Sequence, residues 1–238
     1  MTSSQLQLDH LTLAQGGRIV LENVCGDFPK GQITALIGAN GAGKSTLVAG
    51  IMGELPAVSG HVRCDIPLAR RAWLPQQLAL DLRFPMSVEE LVMTGCWPTH
   101  GAFKGYTPDR YHQAREIMQR LDISHVAYRP LGELSGGQRQ RTLLGRTLMQ
   151  NAELLILDEP FANVDSATVD VVSRVLRSMA EDGVTVIVVL HEAHQLAQLA
   201  NRILLLCHGQ AQWHDPKSLA RPAASLTDPV RLFTELLS

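Results

Sequence analysis

Apolar positions along this chain come in short runs separated by Gly- and Pro-bearing turns, interrupted once by a block with helical spacing. Leu6, Leu8, Leu11 and Leu13 alternate loosely and predict a strand; 15–17 is a turn, and 18–24 reads as a second strand. Pro29 and Gly31 turn the chain into 33–37, ITALI, a buried-strand run. Leu47, Ile51 and Met52 set the apolar face of a helix that stops at Gly53. The turn at 58–60 leads to a short strand around Val62, and 71–74 is another.

The rhythm then becomes helical. Ser87 and Glu90 form a capping box at the head of a helix ending at Gly95. Residues 96–105, with their Gly and Pro, read as a loop. Thr107 and Pro108 start a helix through Leu121, with Pro at its first position. Ser135 caps a helix to about Met149. Buried-strand character resumes at 154–157 and returns at 184–190 and 203–207, with helices predicted over 165–180 and 192–200. His208 and Gly209 form a turn, and the tail from Pro216 reads as a helical appendage. The expected organisation is a core of about 1–85 and 151–215, a helical insert of about 86–150, and a C-terminal tail of about 216–238.

Composition narrows the class. The chain has 238 residues, 45% hydrophobic and 18% charged, with net charge −2, so no bulk basic field points to nucleic acid. The four cysteines, Cys25, Cys64, Cys96 and Cys207, are scattered and read as reduced thiols. Residues 1–5 lack the basic start and apolar run of a signal peptide, and no apolar run approaches bilayer length. A membrane role would therefore need another chain to supply the membrane part.

The chemistry centres on 38–46, GANGAGKST, which fits G-x-x-x-x-G-K-[ST] between a predicted strand and a helix. Gly38, Gly41 and Gly43, with Ala39, Asn40 and Ala42 between them, let backbone N–H groups turn inward as an anion nest. The helix behind presents its positive end. Lys44 would reach the β- and γ-phosphates, the Ser45 hydroxyl would hold Mg²⁺, and Thr46 continues the loop. A plain Gly-rich turn with a surface lysine explains less, given the flanking elements. The run 154–157 ends in Asp158 and Glu159, and burying charge is costly unless it is paired. Beside a phosphate loop, Asp158 would orient Mg²⁺ and Glu159 would polarise the attacking water. The string HEAH at 191–194 is not a zinc-protease motif, because its histidines are three residues apart rather than four. The other histidines form no ligand cluster along the sequence, and no protein-bound zinc is expected.

LSGGQ at 134–138, together with the phosphate loop and the strand–Asp–Glu segment, resembles the nucleotide-binding subunit of ATP-binding cassette (ABC) transporters. The resemblance covers nearly the whole chain. It implies an α/β fold: a P-loop NTPase core of ABC type, an N-terminal antiparallel β subdomain and a helical subdomain. It implies a homodimer around two ATP, in which Ser135, Gly136, Gly137 and Gln138 cap the γ-phosphate bound by the second copy. By the same resemblance Gln76 contacts Mg²⁺ and the attacking water, Asp165 communicates across the dimer, and His191 contacts the γ-phosphate. One departure is visible: the family usually places an aromatic near position 15 to stack on adenine, whereas this chain has Gln15 and no aromatic in 1–27.

The stretches 84–95, 132–141 and 158–162 look like the zinc/manganese importer branch, although Asn163 stands where that branch often has glycine. The resemblance implies uptake of a divalent metal, zinc first and manganese next. The partners would be a membrane permease and, indirectly, an extracytoplasmic solute-binding protein, with the chain peripheral on the cytoplasmic face of the inner membrane. An iron-chelate or cobalamin importer is the nearest alternative. A soluble ABC ATPase acting on ribosomes or DNA normally has two cassettes or a long coiled-coil insert, and this chain has neither. A nucleotide-binding regulator without turnover would not need a positioned base at Glu159.

Overall fold

The computed structural model describes residues 4–76, 81–101, 105–190 and 199–216. Two sheets form the frame. β1 (Ser4–Gln15), β2 (Arg18–Pro29) and β4 (Ser59–Cys64) make a three-stranded antiparallel sheet in the order β2-β1-β4. The second sheet has six strands in the order β5-β6-β7-β3-β8-β9. In it β5 (Arg71–Leu74), β6 (Leu154–Asp158), β7 (Thr185–Leu190), β3 (Ile33–Gly38) and β8 (Arg202–Cys207) run parallel, and β9 (Gln210–His214) closes one edge antiparallel.

The runs that read as buried strands are apolar on both faces because the parallel sheet is covered on both faces. One core takes Ile33, Ala35, Leu155, Leu157, Val186 and Val188, and packs them against the helices. The other takes Leu36, Leu154, Ile156, Ile187 and Val189, and packs them against α1 (Lys44–Met52) and the antiparallel sheet. Between β5 and β6 the chain is helical: α2 (Val88–Met93), α3 (Trp97–His100), α4 (Pro108–Arg120) and α5 (Gly136–Leu148). The long α6 (Ser166–Glu181) then leads to β7.

Local chemistry accounts for the helix starts. Ser87 caps α2 in a reciprocal capping box with Glu90, and Ser135 caps α5 in the same way with Gln138. Two sequence expectations change. Of the loop expected over 96–105, residues 96–100 are helical instead: a 3₁₀ turn, Thr94–Cys96, runs into α3. Gly95 does not stop the helix but permits close approach, since a Cβ there would lie 2.0 Å from the Arg146 carbonyl oxygen. After the turn at His208 and Gly209 the chain forms β9, which the sequence reading omitted because QAQWH has few β-branched or apolar residues. Trp213 of β9 meets Phe28 edge-on at 5.3 Å and lies under the Arg202 guanidinium at 4.4 Å. The helix expected over 192–200 falls mostly outside the described residues, as does the tail beyond Pro216.

Candidate nucleotide site

The ends of three parallel strands build the site. β3 ends at Gly38, β6 at Asp158 and β7 at Leu190, so the carboxyl ends of these parallel strands lie on one side of the sheet. Open α/β sheets place ligands at these carboxyl ends. A cleft of about 460 Å³ lies there, bounded by Asn40, Gly41, Gly43 and Lys44–Thr46 on one side and Gln76, Asp158 and Glu159 on the other.

The phosphate loop is shaped by its glycines. Gly38 lies against β8, where a Cβ would sit 2.7 Å from the Leu206 carbonyl oxygen. Gly43 has φ 99° and stands at the N-cap of α1, a left-handed conformation that favours glycine. Inside the loop, the Ala42 amide donates to the Ala39 carbonyl at 3.1 Å. Lys44 is buried, and its ammonium donates to the carbonyls of Gly38 at 2.7 Å and Ala39 at 3.2 Å. Burial pushes the Lys44 pKa down, opposed by the negative charges of Glu159 and then Asp158. Ser45 is exposed at the cleft, and the buried Thr46 donates its hydroxyl to Gln15 Oε1 at 3.3 Å.

The acidic side is equally fixed. Asp158 is buried at the end of β6, beside Val189 of β7. Glu159 follows in left-handed backbone, φ 52°. Its amide donates to the Val189 carbonyl at 3.1 Å, and its own carbonyl accepts from the Ala162 amide at 3.1 Å. Non-glycine residues in this region cost free energy and gather at functional sites. Gln76, just past β5, donates its amide nitrogen to Glu159 Oε2.

A second cluster forms elsewhere on the same chain. The side chain of Ser135 accepts from the Gln138 amide at 3.2 Å, and the side-chain oxygen of Gln138 accepts from the Ser135 amide at 3.1 Å. Asp165 caps α6 by accepting from the Thr168 amide at 2.7 Å, and that bond holds its carboxyl below the usual range. The two helix starts touch: a Cβ on Gly137 would lie 2.4 Å from Thr168 Oγ1 and 2.9 Å from Asp165 Oδ2. None of Ser135, Gly136, Gly137, Gln138 or Asp165 lines the cleft.

Loop, acids and Gln76 thus come together, while the 135–138 segment and Asp165 form their own face. His191 lies outside the described residues. Sequence reasoning missed Val20, which lines the cleft beside Gln15. Its only signal was its place in the strand after the Gly16–Gly17 turn.

The same segments carry the match to known proteins. The ABC transporter family matches residues 21–162. The chain belongs to the ABC transporter family. Its core is a P-loop NTPase of ABC type, and the chain is an ATP-binding, ATP-hydrolysing cassette. It is 35% identical over 206 residues to the manganese transport system ATP-binding protein MntB of Listeria monocytogenes, covering 84% of this chain and 86% of that one. It is 39% identical over 210 residues to the zinc transport system ATP-binding protein TroB of Treponema pallidum, covering 86% and 79%. It is also 40% identical over 215 residues to the hemin import ATP-binding protein HmuV of Streptomyces coelicolor, covering 85% and 75%. Among solved structures, the dimeric bacterial ABC transporter cassette MJ0796 superposes with a TM-score of 0.74 at 25% identity, covering 89% and 98%. Among the described residues of this cassette, no helix is long and apolar enough to cross a membrane.

Proposed function

We propose that this ABC ATPase energises uptake of a divalent metal ion, zinc first and manganese next, through a separate membrane permease. The observation that carries the reading is the likeness over most of the chain to the manganese and zinc transport ATP-binding proteins. The ATPase would not hold the cargo; it would sit peripherally on the cytoplasmic face of the inner membrane, with a solute-binding protein on the other side. It forms one ABC domain, core about 1–85 and 151–215, with 86–150 as the helical subdomain that meets the permease. No nucleic-acid partner is required.

In this reading the amides of 38–46 and Lys44 bind the ATP phosphates, and nucleotide draws the Lys44 ammonium from the loop carbonyls. Mg²⁺ fits the donors present, because Ser45, Asp158 and Gln76 offer hydroxyl, carboxylate and amide oxygens around one cleft, the hard donor set this ion prefers. When bound it would neutralise charge on the β- and γ-phosphates. Glu159 accepts the proton of the attacking water, and Gln76 positions the Glu159 carboxylate. His191 contacts the γ-phosphate. Ser135, Gly136, Gly137 and Gln138 of a second copy complete the site, and Asp165 links the two. Their place off the chain's own cleft supports that arrangement. Gln15 and Val20 line the cleft, and among the described residues no aromatic side chain does, so the phosphates would supply most of the affinity.

The likeness to the hemin import protein keeps an iron-chelate importer as a second reading. A gene deletion separates the two. We expect poor growth under strong metal chelation, rescued by zinc. Rescue by manganese alone replaces the ion but keeps the class. Rescue by hemin or an iron chelate, and by neither metal, overturns the metal-ion reading.

A further inference from the structure

The β1–β2 hairpin gathers metal-ligating side chains away from the nucleotide cleft. Its pairing passes from Leu8↔Gly26 to Leu11↔Val24, so Asp9 and His10 oppose the single residue Cys25. Such a bulge re-aims side chains. His10 and Asn23 both take left-handed backbone there, φ 47° and 54°. As a result His10 Nδ1 lies 3.6 Å from Cys25 Sγ and 2.7 Å from Asn23 Oδ1. Cys25 is exposed, and the His10 side chain is 72% exposed, so solute ions reach both. The backbone under the thiol is held from the core side, where Trp213 Nε1 donates to the Cys25 carbonyl at 3.0 Å.

Bonds of about 2.3 Å to sulfur and 2.1 Å to nitrogen around a tetrahedral ion set the two ligand atoms about 3.6 Å apart. The Cys25–His10 pair already has that separation. We propose, against the sequence expectation of no protein-bound zinc, that Cys25 and His10 bind one borderline transition-metal ion of the Zn²⁺ class at a surface site that takes no part in carrying the cargo. The ion takes the Nδ1 lone pair, and the ring proton moves to Nε2, which faces Asp9 Oδ1 at 3.9 Å. That distance is too long for a hydrogen bond, so Asp9 acts as a nearby negative charge that favours the bound cation. Asp9 is itself fixed, since Arg63 pairs with it at 3.0 Å. Asn23 Oδ1 is bonded to Nδ1 at 2.7 Å, so on binding it gives up that bond and withdraws to about 3.4 Å, where it serves as an amide-oxygen donor to the ion or its water. Among the described residues no three His, Cys, Asp or Glu side chains converge on one ion, so water completes the shell. On binding, the S–H bond breaks, the sulfur–metal bond forms, and the proton goes to solvent. Spacing along the sequence hid the pair, which only the antiparallel bulge brings together.

The test is titration of the full chain with Co²⁺ alone, without nucleotide, reading the thiolate-to-cobalt charge-transfer band. The wild type shows the band and Cys25→Ser loses it. The double variant Cys64→Ser/Cys207→Ser keeps it, which excludes the other partly exposed thiols. Asn23→Gly weakens binding about tenfold, and His10→Asn by more than that. ATPase activity at the wild-type rate in Cys25→Ser certifies its fold. A wild type without the band, a band surviving in Cys25→Ser, or unchanged affinity in His10→Asn overturns the site.

Discussion

Glu159 combines a carboxylate, a left-handed backbone at φ 52° and two backbone hydrogen bonds that hold it at the cleft. Loss of a positioned base costs about 10²–10⁴-fold in rate. Glu159→Gln should therefore keep ATP binding and nearly abolish phosphate release; near-normal release removes Glu159 from that role. Lys44 gives a pH prediction. Burial lowers its folded pKa below the ordinary 10.5, so the unfolded chain holds that proton more tightly. The resulting destabilisation is fully present below the folded value and is relieved as pH rises towards 10.5. In nucleotide-free protein, Lys44→Met should flatten that part of the stability–pH profile without lowering neutral-pH stability, while ATP binding is lost. Denaturation across pH, with and without ATP, reads both. At this scale the sequence was informative: the phosphate-loop residues, Asp158 and Glu159 were legible from string and context. The Gln76–Glu159 bond and the place of Val20 were not, because both depend on strands distant in sequence meeting at one edge.

Among the elements, the contact between the starts of α5 and α6 matters most. Gly137 leaves no room for a side chain over Thr168 and Asp165. Gly137→Ala should push the two helices apart and lower both stability and turnover. Thr168→Ala in the same chain should restore part of the loss, because it removes the oxygen 2.4 Å from the new methyl. A double-mutant cycle on melting temperature measures this, and simple additivity would show that the contact is not the cause. The capping box at Ser87 and the cap at Ser135 were legible in the sequence because they are local chemistry, whereas the reciprocal bond from Gln138 back to Ser135 came from the structure. The role of Gly95 and the strand β9 were not. A glycine at a helix crossing looks like a stop signal, and a polar edge strand lacks the apolar alternation that marks a buried one.

For the whole molecule, one chain carries half of each proposed site. The cleft holds the phosphate loop and Glu159, while the Ser135–Gln138 face lies elsewhere with its amides ordered by α5. A helix N-terminus with a Ser hydroxyl and glycine amides suits an anion, and a second copy would bring one to it. Bound ATP would then bridge two chains, and closing and opening of that pair would move the permease as a rigid body. The most direct measurement is sedimentation of purified Glu159→Gln with and without ATP, alongside the same chain carrying Ser135→Arg. The account predicts an ATP-dependent shift from monomer to dimer in the first and none in the second, with ATP still bound by both. A chain that binds ATP yet sediments unchanged, alone and with its permease, or a Ser135→Arg chain that dimerises equally well, would contradict it.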